Sequence, residues 1–174
     1  MSDLHKASFF TRTYDTLAIV SMPAEEGNAP AADDYAAARR QDSGEIGPFD
    51  LVVPALPRSL RDIRVAMRGW LSEVGATPRA VADLLVAVGE ACTNAVEHAY
   101  GPAGGTVAVH MELQLPDVLA TVQDAGRWRP PSGENRGPDN RGRGTQFMRN
   151  CSDDLHIDHG PTGTNAAIRR RLAE

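Results

Sequence analysis

Residues 78–100 constrain the fold more than any other stretch of the chain. Thr77-Pro78 reads as a helix start, with Thr77 as N-cap and Pro78 at the first helical position. Gly101-Pro102 reads as its stop. At about 100° per residue, Val81, Leu84, Leu85, Val88, Cys92, Ala95 and Val96 fall within one arc of roughly 120°. That arc is the buried face. On the other side Asp83, Glu90, Asn94, Glu97 and His98 share an arc of about 100°. Glu90, Asn94 and His98 stand at i, i+4 and i+8, so they form a row along the helix.

The flanking pattern places this helix on a sheet. Phe49–Val53 reads as a strand stopped by Pro54. A helix opens at Pro57 and Ser59, with Leu60, Ile63, Met67, Trp70, Leu71 and Val74 at spacings of three and four, and ends at Gly75. Downstream, Thr106–Leu115 and Val118–Gln123 read as a hairpin around Pro116-Asp117. A loop rich in Gly, Pro, Arg and Asn covers 126–143, and a helix follows over about Thr145–Ser152. Strands Leu155–Asp158 and Thr164–Arg171 flank the turn 160–163. Hairpin-linked strands with helices gathered separately predict an α+β two-layer sandwich, a mixed or antiparallel sheet with helices on one face.

Residues 1–47 are different. They carry eight acidic against four basic residues, a net −4 of the chain's −5. Only Thr16–Met22 looks like a strand, and 23–47 is rich in Ala, Gly, Pro and acids, with a short helix expected around Asp33–Gln41. This stretch is read as an N-terminal arm and 48–174 as the folded domain. A 41% hydrophobic content supports one core. A pI near 5.5 argues against broad, nonspecific binding to nucleic acid. Cys92 and Cys151 make no disulfide framework and read as free thiols. No run approaches the ~18 apolar residues of a membrane span, and the N-terminus lacks a signal pattern. The expectation is a cytoplasmic protein with no membrane association.

Four short patterns carry chemistry. A polar row on a helix is ordinarily a solvated face. Asn, however, is a poor choice there, because its side chain competes with the backbone. Glu90 and Asn94 offer two hard oxygen groups one turn apart, which suits Mg²⁺, a cation that takes few protein oxygens beside phosphate and water. Asp124-Ala-Gly126 follows a strand directly. Its carboxylate can accept from an exocyclic amine such as that of adenine, and its glycine allows a flat ligand to approach. Gly142-Arg-Gly144 precedes a helix and resembles a phosphate cradle, with Arg143 adding charge. Gly163-Thr164 opens the last strand, where a Thr hydroxyl can touch adenine or a water beside Asp124. Taken singly, the last three are ordinary turns.

Together and in order, they resemble the GHKL set. Glu90-Ala-Cys-Thr-Asn94-Ala-Val-Glu-His98 resembles the N box, Asp124-Ala-Gly126 the first glycine box, and Gly142-Arg-Gly144 followed by Thr-Gln-Phe-Met the second. Gly163-Thr164 resembles the closing motif. The short chain and compact intervening loop are similar to the RsbW-type anti-sigma factor kinases. This resemblance implies the Bergerat ATP-binding fold, ATP and Mg²⁺ as cofactors, and serine/threonine kinase activity. It implies Glu90 as general base, Asn94 on Mg²⁺, Asp124 and Gly126 at adenine, Gly142, Arg143 and Gly144 at the phosphates, and Thr164 beside Asp124. The implied partners are a STAS-type anti-anti-sigma factor and an alternative sigma factor, with no direct contact to nucleic acid. A homodimer is compatible with the family. Trp128 departs from the pattern, standing where many relatives have a second glycine. A non-catalytic partner-binding module and another GHKL ATPase or sensor-kinase fragment stand as alternatives.

Overall fold

The structure is a computed structural model that describes residues 46–99, 104–126, 143–160 and 162–173. The expected strand at Thr16–Met22 and helix at Asp33–Gln41 lie outside the described residues, as do Tyr100, Trp128, Arg141, Gly142 and the side chains of His98 and Arg143.

The order of elements is β1 (Phe49–Pro54), α1 (Ser59–Glu73), α2 (Pro78–Asn94), a π-helical turn (Ala95–Ala99), β2 (Thr106–Gln114), β3 (Asp117–Asp124), α3 (Arg143–Asn150), β4 (Asp154–Gly160) and β5 (Gly163–Arg171). The five strands form one sheet in the order β1-β2-β3-β5-β4, and every pairing is antiparallel. The α+β expectation holds, and the sheet is antiparallel rather than mixed. Pro54 ends β1, which lies at the sheet's edge, the position where a strand tolerates a residue without an N–H.

One core lies between the sheet and the helices. Phe49, Leu51 and Val53 alternate inward from β1, and Val107, Val109 and Met111 do so from β2. Ile63, Met67, Trp70 and Leu71 meet them from α1, and Leu84, Val88 and Cys92 from α2. Trp70 is fully buried against Phe49, ring centroids 6.4 Å apart, and its indole Nε1 donates to the Gly47 carbonyl at 2.8 Å. That bond satisfies a polar atom that burial would otherwise orphan. Thr77 caps α2, its Oγ1 accepting from the Ala80 N–H at 3.3 Å, and Pro78 follows at the first position. Both ends of this motif are as the sequence predicts.

The far end of α2 is not. The predicted α-helix to Tyr100 stops at Asn94, and the next five residues wind as a π-helix. Thr93 contributes to the distortion, its Oγ1 donating to the Gly89 carbonyl at 2.9 Å, a back-bond that bends helices. A π-turn is wider than 3.6 residues, so the i, i+4, i+8 row does not continue past Asn94 in α-helical register. Asp83, at the other end of α2, belongs to a separate ion network. It pairs with Arg170 at 3.0 Å, and Arg170 pairs with Asp153 at 2.9 Å. Burial pushes the Asp153 carboxyl up, but the Arg171 N–H and the Arg170 guanidinium outweigh it and hold the group below the usual carboxylate range.

Both cysteines are free. Burial pushes the Cys92 thiol up to about 12, with Arg64 opposing only in part. The thiolate is the reactive form, so native protein at pH 8 should react with a thiol reagent at Cys151 and not at Cys92. Peptide mapping of the alkylated chain, before and after denaturation, checks this. Equal labelling of both in native protein would contradict the packing around α2. No helix among the described residues is long and apolar enough to cross a membrane.

Candidate functional site

The site gathers at the end of α2. Glu90 and Asn94 are one turn apart and half-buried, so they do not form an ordinary solvated face. The reason is α3, whose first turn packs across them. A Cβ at Gly144 would stand 2.9 Å from Glu90 Oε2, and 3.7 and 3.8 Å from Asn94 Oδ1 and Nδ2. Any side chain at 144 would press on the carboxylate. The first amides of a helix have no intrahelical acceptor and carry the positive end of its dipole. Glu90 and Asn94 therefore sit beside the terminus that an anionic ligand prefers. The second glycine box and the N box, far apart in sequence, share one location.

Asp124 ends β3, directly opposite Thr164 in the β3–β5 register. Its Oδ1 accepts from the Gly126 N–H at 2.9 Å and from the Thr164 N–H at 3.3 Å. These two bonds fix the carboxylate. Oδ2 makes no hydrogen bond to any described residue. The Thr164 backbone, and not its hydroxyl, reaches Asp124. The hydroxyl lies 3.5 Å from His159 Nδ1.

Two glycines make this corner possible. Gly126 is buried, and a Cβ there would run into the carbonyl group and Cβ of Ala99, the last residue of the π-turn. Gly163 has φ +136, a region L side chains rarely adopt, and a Cβ there would run into the Asp124 carbonyl. The first glycine box is thus clamped between the end of the N box and the start of β5. Ala99 and Gly163 are the two contributors that motif reading underrated. Ala99 bears no recognisable signal, whereas Gly163 carries the ordinary signal of a turn.

The structure brings together Glu90, Asn94 and Gly144 in one group and Asp124, Gly126 and Thr164 in another. The π-turn, running from Ala95 to Ala99, joins them. Arg143 begins α3, with its backbone next to Gly144. Gly142 lies outside the described residues. Among the described residues no cluster of three His, Cys, Asp or Glu side chains exists to hold a metal without a ligand's help.

Known proteins share this fold. The family model for the histidine kinase-like ATPase domain matches residues 53–170, a span that includes every element from the end of β1 to β5 and so makes ATP the nucleotide the domain is built around. The serine-protein kinase RsbW of Bacillus licheniformis is 33% identical over 130 residues, covering 66% of this chain and 81% of that protein. An anti-sigma F factor of Bacillus licheniformis is 28% identical over 130 residues, 69% of this chain and 89% of that protein. The solved RsbU and RsbW domains of a Mycobacterium tuberculosis protein superpose with a TM-score of 0.57 at 30% identity. That match covers 72% of this chain but only 32% of the other. The helix of Glu90 and Asn94 with its π-turn, Gly144 and Gly126 packed against it, and these relatives agree: the chain belongs to the histidine kinase-like ATPase domain family, within its branch of RsbW-type serine-protein kinases and anti-sigma factors.

Proposed function

We propose that residues 48–174 transfer the terminal phosphoryl group of ATP to a Ser or Thr hydroxyl of a STAS-type anti-anti-sigma factor, in the cytoplasm. The same domain would hold an alternative sigma factor when the anti-anti-sigma factor is phosphorylated. The observation that carries this reading is the contact of Gly144 with Glu90 and Asn94, which puts a carboxylate, an amide oxygen and the start of a helix at one point.

Each residue has a role in this reading. Asp124 Oδ2 accepts from the adenine amine, while Oδ1 stays bound to the Gly126 and Thr164 amides and keeps the carboxylate oriented. Gly142, Arg143 and Gly144 hold the phosphates at the start of α3. Asn94 offers a hard amide oxygen beside a position with no side chain, a donor that fits Mg²⁺ completed by phosphate and water. The cation, when bound, neutralises charge on the phosphates. Glu90 takes the proton of the attacking hydroxyl, whose oxygen forms the new bond to phosphorus as the bond to ADP breaks. Phosphoryl transfer rests mainly on positioning and charge, so so few groups are enough.

Calorimetric titration with ATP tests the site. The wild type should bind only weakly without Mg²⁺ and tightly with it. Asn94→Ala should weaken Mg²⁺-dependent binding by roughly a hundredfold, about 2.7 kcal/mol. No binding by a folded wild type would withdraw the kinase reading and leave a domain that acts through partner contact alone.

A further inference from the structure

A second surface shares no residue with the nucleotide site. The outer face of α1 carries an open groove of about 620 Å³, whose lining includes Pro57, Leu60, Arg61, Arg64, Val65 and Arg68. Its floor is partly apolar: Val65 is 48% exposed. Its rim is basic. Arg61, Arg64 and Arg68 are all exposed, and none forms an ion pair with a described residue. The acidic residues of α1, Asp62 and Glu73, are not part of the lining. Cations at spacings of three and four repel one another along a helix, so an anion over this row would relieve that repulsion.

We propose that the acidic segment Glu25–Asp42 of this same chain docks in that groove. Three observations favour this occupant. The segment holds Glu25, Glu26, Asp33, Asp34 and Asp42 against Arg39 and Arg40. Its centre, Asp33-Asp34-Tyr35 set among alanines, pairs adjacent acids with one aromatic ring. That composition complements arginines around a small apolar floor. The chain also enters the fold against α1, because the Gly47 carbonyl accepts from Trp70 on the buried side of that helix. Length is no obstacle. The 13 residues from Asp34 to Gly47 can span about 45 Å, and α1, with 15 residues, is only about 22 Å long. The helix-free sheet face is a poorer match, since its arginine and histidine are paired already, Arg169 with Asp117 at 3.1 Å and His110 with Asp50 at 2.7 Å. Tethering raises the local concentration of the segment to the millimolar range, on the order of what weak charge-assisted contacts need.

The docked segment shields the basic face of α1 and competes with any acidic ligand for it. The device is separate from nucleotide chemistry and stands or falls independently of the kinase reading.

Amide hydrogen exchange on the full chain tests it. Residues 30–42 should exchange about tenfold more slowly than a free peptide of the same sequence at low salt. Raising the salt from about 0.05 to 0.5 M should remove that protection. Arg61→Glu with Arg68→Glu should abolish it, and so should Asp33→Lys with Asp34→Lys. Combining all four substitutions should restore it, because the charges are then exchanged rather than lost. All the altered side chains on α1 are exposed, so circular dichroism should show these variants folded. Protection that is absent in the wild type, unchanged by either pair, or not restored by their combination overturns the proposal. Protection that falls on tenfold dilution of the protein also overturns it, and assigns the groove to a second copy of the chain.

Discussion

Glu90→Gln should lower phosphoryl transfer to the partner by about 10²- to 10⁴-fold while leaving ATP affinity within about twofold. The two side chains have the same shape, so the fit against Gly144 is kept. What is lost is the negative charge, and with it the ability to accept a proton. A purely structural Glu90 would behave differently: its neighbour is the start of α3, and a glutamine of the same shape fits there equally well. Single-turnover transfer from labelled ATP, measured beside nucleotide affinity, separates the two. Transfer at the wild-type rate removes Glu90 from the base role. Loss of affinity with intact transfer per bound ATP would move it to nucleotide binding instead.

Gly126→Ala should be strongly destabilising for a single added methyl, costing about 3 kcal/mol or more. The new Cβ would overlap the backbone of Ala99, and neither partner is the flexible end of a side chain. Relief requires moving the π-turn or the end of β3, and either shift disturbs the amides bound to Asp124. Weaker ATP binding should therefore accompany lower stability. Gly69→Ala is the matched control. It adds the same methyl to an exposed helix interior with nothing within 4 Å, and helix propensity predicts a gain of up to about 1 kcal/mol. Denaturant unfolding of the three proteins gives both values. A Gly126→Ala protein as stable as wild type would mean that the first glycine box is not clamped against the N box.

Local chemistry made much of this legible in sequence. Thr77-Pro78 and Gly75 act on their own backbone, so the helix boundaries they mark follow from adjacent residues. The apolar arc of α2 and the alternation in β1 state which side is buried, because periods of 3.6 and 2 are properties of the elements themselves. Glu90, Asn94, Asp124 and the glycines are recognisable by order and spacing. The net −4 of the arm is also a matter of sequence alone.

Other features exist only where distant segments meet. The π-turn after Asn94 breaks a pattern that reads as continuous helix, since apolar spacing does not register a change from i+4 to i+5 bonding over a single turn. The half-burial of Glu90 comes from α3 crossing it at Gly144, a contact between the second glycine box and the N box. Thr164 reaches Asp124 through its amide because the β3–β5 register sets them opposite each other, and register is decided by pairing across the sheet. The sequence alone determined which residues can do chemistry and which faces are buried, because propensity, capping and periodicity act within a few residues. The tertiary structure decided which of those residues stand together, because that depends on segments meeting at Gly126, Gly144 and Gly163, where a missing side chain is the signal and only the neighbour explains it.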